Sequence, residues 1–129
     1  DNELQRLVTD INRVLADKIG RWVLSANHRD AHSELALYIP REDREVIIDR
    51  TFIESETQTR WIIDYKTSHP EDGIEMARFL EEETTKYQRQ LQDYRSVLVE
   101  YDLSVNSGVK CCKTALYFPA LGAFHEVLL

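Results

Sequence analysis

Residues 47–67 read I-I-D-R-T-F-I-E-S-E-T-Q-T-R-W-I-I-D-Y-K-T, two apolar runs joined by a polar loop. Their β-branched and aromatic content predicts a strand from about Glu45 to Ile53, carrying Asp49. A second strand, about Arg60 to Thr67, carries Asp64 and Lys66. A hairpin folded about Glu56–Thr57 sets Asp49 opposite Asp64, because both stand equally far from that centre. Side chains alternate along a strand, so Asp64 and Lys66 share one face and Trp61, Ile63 and Tyr65 take the other. Facing carboxylates repel, and burying them unpaired is costlier still. A divalent cation between them, with the Lys66 ammonium nearby, relieves both effects. The same residues also fit an ordinary hairpin with surface charges, or an Asp64–Lys66 pair that serves stability alone.

The chain has 129 residues, which fits one domain with a single core. A hydrophobic content of 43% with six tyrosines argues against disorder. No apolar run approaches the length of a membrane span and no signal-peptide pattern opens the chain, so no membrane association is expected. Because the first residue is Asp1 and not Met, residues 1–129 are expected to be one domain of a longer polypeptide. Cys111 and Cys112 are adjacent and would point to opposite faces of a strand, which makes a mutual disulfide strained. They read as reduced thiols, and hence as cytoplasmic. Two cysteines also exclude a four-cysteine zinc or iron–sulfur site within the chain. A net charge of −7 argues against a strong grip on nucleic acid by this domain alone, since phosphate binding relies on Lys and Arg. Lys66, Lys86, Arg89 and Arg95 still fall in or near the candidate site.

Leu4, Leu7, Val8, Ile11, Val14 and Leu15 recur at helical spacing, predicting an amphipathic helix from Asn2 to about Ala16, with Gly20 at its C-terminal end. Arg21–Ser25 is apolar without a clear period. Ala26–Ala31 reads as a polar loop, with His28 and His32 as solvated loop histidines. Ser33–Ile39 predicts a strand closed by Pro40, with Glu34, Ala36 and Tyr38 on one face. After the turn-rich Ser68–Gly73 comes a long helix, about Ile74 to Tyr101. Leu80, Thr84, Tyr87, Leu91, Tyr94, Leu98 and Tyr101 form its apolar stripe, with Gln90 and Val97 beside it and Glu81, Glu82 and Glu83 opposite. Tyr101 and Leu98 read as core. Two strands close the chain, Val109–Phe118 and Ala123–Leu129, joined by the turn Pro119–Gly122. The expected class is α/β, with a mixed sheet of about five strands flanked by helices.

Asp49-Arg50, then Trp61-Ile-Ile-Asp-Tyr-Lys-Thr67, then Tyr87-x-x-Gln-Leu-x-x-Tyr94 form an ordered set that resembles the RecB-type nuclease domain. That domain closes the long helicase–nuclease polypeptides of the UvrD-like superfamily, such as the exonuclease V beta subunit, and belongs to the PD-(D/E)XK group. The likeness runs from about Gly20 to the end of the chain, and Ala115–Pro119 (A-L-Y-F-P) is similar to the segment before the last strand of such domains. The resemblance implies a restriction-endonuclease-like core and magnesium-dependent (or manganese-dependent) hydrolysis of DNA phosphodiester bonds, in double-strand-break repair and recombination. It implies that Asp49 and Asp64 bind the metal and that Lys66 orients or activates the attacking water. Gln90 and Tyr94 match the helix motif whose side chains support the site and the DNA strand; Tyr65 lies inside the strand motif, and Glu34 matches the glutamate of the first strand. The implied partners are a single-stranded DNA end or a duplex fed by a helicase, and the other domains or subunits of a helicase–nuclease. ATP would be used only in the helicase domains of such a polypeptide. One departure is plain: Gly20 and His28 do not reproduce the G-x-x-x-H setting of the family's upstream metal-binding histidine, and 4–15 contains no His. That departure and the acidic charge suit an alternative, an inactive nuclease-like fold used as a protein-interaction or DNA-positioning module.

Overall fold

The structure, a computed structural model, describes residues 2–129, and of residues 13–16 it describes the backbone only. The central hairpin forms as its sequence requires. Strand β2 (Arg44–Glu54) and strand β3 (Thr59–Tyr65) pair antiparallel, with Glu54 facing Thr59 and Arg50 facing Ile63. The turn between them is held by Gln58 Nε2 donating to Ser55 O at 2.6 Å and by Thr57 Oγ1 donating to Glu54 Oε1 at 2.8 Å. Strand β1 (Arg29–Ile39) adds to the outer side of β2, also antiparallel. On the other side β4 (Cys111–Phe118) pairs parallel with β3, and β5 (Ala123–Val127) closes the sheet antiparallel to β4. The sheet order is β1-β2-β3-β4-β5. A parallel pair needs a long crossover, and the long helix, α3 (Met76–Ser104), supplies it.

Each face of the sheet buries its own cluster. On the α3 side Ile48, Ile62, Leu116 and Phe118 pack against Phe79, Leu91, Tyr94 and Leu98. On the other side Phe52, Trp61, Ile63, Ala115 and Tyr117 pack with Val23. The architecture is therefore α/β, a five-stranded mixed sheet with helices. No helix among the described residues is long and apolar enough to cross a membrane, and Cys111 and Cys112 are both free thiols.

Several local expectations are corrected. Helix α1 spans Asn2–Ala16 as its period predicts, yet Leu4, Leu7, Val8 and Ile11 all remain exposed; the side chains of Val14 and Leu15 lie outside the described residues. Gly20 does not end that helix. It is buried within a second one, α2 (Lys18–Leu24), which includes most of the apolar segment that showed no period. Asp17 starts α2 by accepting from Ile19 N–H, an N-cap that satisfies an otherwise unpaired donor. His28 is not a solvated loop residue: its ring stacks on Phe52 at 3.9 Å, and Nε2 donates to Trp22 O at 2.6 Å. His32 lies within β1, not in a loop, and contacts Asp30 at 2.7 Å. On α3 the buried face is rotated slightly from the expected stripe. Glu83 and Asp102 are buried, and Tyr101 is 43% exposed. Leu98 is core as expected.

Candidate active site

The β2–β3 pairing runs to Arg50↔Ile63, and the next residue of each strand is an aspartate, Asp49 and Asp64, whose side chains interact. The Tyr65 N–H donates to Asp49 Oδ2 at 2.8 Å, which fixes the Asp49 carboxylate at the end of the hairpin. Around Asp49 the strand alternation changes phase: Val46 and Ile48 pack on the α3 side, whereas Phe52, also even-numbered, packs on the α2 side. The facing position in β1 is Glu34, bracketed by Ser33↔Arg50 and Leu35↔Ile48, and it has φ +51°. Positive φ is uncommon for a residue with a side chain. It marks an irregularity in β1 beside the point where β2 changes phase.

Lys66 follows β3, its N–H donating to Tyr117 O at 2.8 Å. Its Nζ stands 2.8 Å from Asp64 Oδ2 and 3.4 Å from the centroid of the Tyr87 ring. Although the ammonium is close, no donor is aligned on Asp64 Oδ2, which is a buried oxygen without a hydrogen bond. The ammonium and the carboxylate make a close charge contact with poor hydrogen-bond direction. Burial pushes the Asp64 carboxyl up to about 6; the neighbouring Asp49 adds to this rise, and Lys66 opposes it.

Helix α3 covers this end of the sheet with Tyr87, Gln90 and Tyr94, which lie at i, i+3 and i+7 and so share a face. Gln90 Nε2 donates to the Tyr94 hydroxyl at 2.5 Å. That phenol is pushed above its ordinary value, first by burial and then by the negative charges of Asp64 and Asp49. The structure thus brings together Asp49, Asp64, Lys66, Gln90 and Tyr94 and adds Tyr87. Tyr65 contributes its backbone; its ring lies on the opposite face against Tyr117, and burial pushes its phenol up to about 12. Arg50 also faces away. Its guanidinium donates to Val23 O, Ser25 O and Ser33 Oγ, tying α2 and β1 to β2.

Glu34 is exposed, and its carboxylate makes no hydrogen bond or ion pair among the described residues. Of the basic residues expected nearby, Lys86 has its Nζ 5.3 Å from the Tyr87 ring. Arg89 is exposed on α3. Arg95 instead lines a separate cavity with Asp102, Cys111 and Cys112. A cavity of about 980 Å³ bordered by Tyr38, Arg41, Asp93 and Glu100 does not include Asp49 or Asp64. The aspartates are therefore placed at strand ends under a helix and not within either concavity.

Sequence reasoning assigned Tyr87 to the core stripe and missed its contact with Lys66. Its position three residues before Gln90 on the same helical face was the available signal. Glu83 was missed for a different reason: an acidic residue among Glu81, Glu82 and Glu83 gives no sign of which one turns inward, yet Glu83 Oε2 is buried and unpartnered.

Chemically, two adjacent carboxylates, of which Asp64 has a raised pKa and a buried oxygen with no aligned donor, form a pair whose repulsion a divalent cation would relieve. The ammonium beside them can stabilise an anionic group. No group of three or more His, Cys, Asp or Glu able to hold a metal occurs among the described residues. The sequence matches no protein-family profile and no curated protein.

Proposed function

We propose that this chain is a metal-dependent DNA nuclease domain of the RecB type, with a restriction-endonuclease-like core. The observation that carries the proposal is the convergence of Asp49, Asp64 and Lys66 with Gln90 and Tyr94, which the sequence separates by as many as 45 positions. The sheet supports it too: three antiparallel strands, a helical crossover and a parallel strand set both aspartates on the central hairpin, under that helix.

Asp49 and Asp64 fit magnesium, which takes few carboxylates and completes its shell with water and substrate oxygens. The ion, when bound, would supply Lewis-acid polarisation of the phosphoryl group and a more acidic water. The chain's own residues do the rest. Tyr65 N–H holds Asp49 in place, leaving Asp49 Oδ1 free of that bond. Lys66 presents its amino group beside Asp64, where as the ammonium it can balance charge developing on phosphate, or as the neutral amine accept a proton from water. Gln90 donates to the Tyr94 oxygen, so the Tyr94 proton is available to a neighbouring acceptor.

The net charge of −7 and the lack of a third ligand among the described residues favour a second reading, an inactive nuclease-like module that positions DNA or a protein partner. Cleavage of linear single-stranded DNA with magnesium or manganese, beside an Asp64→Ala control, separates the two. Metal-dependent cleavage lost in the control is expected. Equal background in both would remove the nuclease reading.

A further inference from the structure

We propose that Tyr87 is the positioning residue for Lys66, holding its ammonium on the ring face beside the two aspartates. The inference rests on the nuclease reading for its consequence, but the contact itself is geometric. The Lys66 Nζ is 3.4 Å from the Tyr87 ring centroid, the shortest of the cation–ring distances among the described residues. An ammonium over an aromatic face is attracted by the ring quadrupole, more strongly when both are withdrawn from water. The Lys66 side chain is only 15% exposed.

A lysine stem has four carbons and no intrinsic preference for one direction, so it must be held. Two groups hold it here, Asp64 and Tyr87. The Asp64 contact is close but poorly directed, since Oδ2 has no donor aligned on it. Asp64 also cannot serve Lys66 and a cation equally with the same oxygen. Once that carboxylate turns to a cation, the ring is what still fixes the ammonium. Tyr87 suits the task because it rides on a 29-residue helix anchored by Leu91 and Leu98 in the core. Its hydroxyl makes no hydrogen bond among the described residues, so the face of the ring is the part in use. A second ammonium, Lys86, lies farther from the same ring at 5.3 Å and is exposed on the helix.

The test compares Tyr87→Phe and Tyr87→Leu with the unaltered protein in two measurements. The first is NMR of lysine ε-methylene groups carrying a carbon-13 label, with Lys66 assigned by loss of its signal in Lys66→Gln. A ring at this distance should move the Lys66 signals upfield. The shift should persist in Tyr87→Phe and vanish in Tyr87→Leu, whose melting curve reports whether the fold is intact. The second is single-turnover cleavage of single-stranded DNA with saturating manganese. Tyr87→Leu should slow it about tenfold, between the exposed and the desolvated strength of a cation–ring contact, and Tyr87→Phe should retain most of the rate. An unshifted Lys66 in the unaltered protein would overturn the proposal, as would a folded Tyr87→Leu that cleaves within about twofold of normal. A shifted Lys66 that responds to Tyr87→Leu in a protein without cleavage would uphold the contact and overturn the nuclease reading instead.

Discussion

Arg60 and Asp102 form a fully enclosed fork: Nε donates to one carboxylate oxygen at 3.0 Å and Nη2 to the other at 2.7 Å. Arg60 has no exposed surface, and Asp102 is 6% exposed. The same Nη2 reaches Asp30 Oδ2 at 2.7 Å, so one guanidinium joins β1, β3 and the end of α3. Removing Asp102 leaves the buried Arg60 charge with only the partly exposed Asp30 as an anionic partner. Asp102→Ala should therefore destabilise the fold by about 3 kcal/mol or more, read by denaturant unfolding. A change below about 0.5 kcal/mol, the range of an ordinary surface substitution, would show that the fork contributes little.

The pH dependence of the metal-free protein has two opposing parts. The folded-state pKa of Asp64 is raised to about 6, chiefly by burial, so the folded protein binds a proton more readily than the unfolded chain. Stability should fall as pH rises from about 4 to about 6. The Asp64→Asn variant should flatten that slope in thermal melts taken in chelator. Asp30 acts in the opposite sense: burial raises its pKa, but hydrogen bonds and charge from Arg60 and His32 outweigh this and hold it below its ordinary value. Its contribution is present above the unfolded carboxylate range and is lost as acid protonates it. A melting temperature that is flat from pH 4 to 6 in the unaltered protein would count against the Asp64 assignment.

Cation binding should be visible without any substrate. A ligand that binds only the folded state, at about a hundred times its dissociation constant, adds about 2.7 kcal/mol. Millimolar manganese should therefore raise the melting temperature, and Asp49→Asn should abolish the rise. The same variant should melt higher than the unaltered protein in chelator, because it removes one of two facing negative charges. An undiminished rise in Asp49→Asn would place the ion elsewhere.

Lys66 separates proton transfer from charge stabilisation. Arginine keeps the charge but cannot give up its proton at working pH and has a planar head. If Lys66 accepts a proton from water, Lys66→Arg should fail as badly as Lys66→Ala. If it mainly stabilises the phosphate charge, Arg should retain part of the rate. Both variants should lose at least about a hundredfold in single-turnover cleavage at saturating metal, the scale of one lost transition-state contact. A near-normal rate for Lys66→Ala would remove it from the catalytic set.

The hairpin and its two aspartates were legible because strand periodicity is two and a short polar turn leaves one register that buries both apolar runs. That local rule suffices to set Asp49 beside Asp64, and helical periodicity likewise suffices for α3 and for the shared face of Gln90 and Tyr94. The order of the strands followed from the same patterns, although β1 begins at Arg29, inside the expected loop, and not at Ser33. What lies across the crossover was not legible. Whether Glu83 or Thr84 turns inward, and whether Tyr87 meets the core or Lys66, depends on the rotation of α3 about its own axis. That rotation is set by Leu91 and Leu98 packing against Ile62 and Leu116, contacts between segments that no local period relates. His28 stacked on Phe52, Gly20 inside α2, and Arg60 locked to Asp102 are of the same kind. Each is decided by which distant surfaces come together when the chain excludes water, and that choice belongs to the tertiary structure alone.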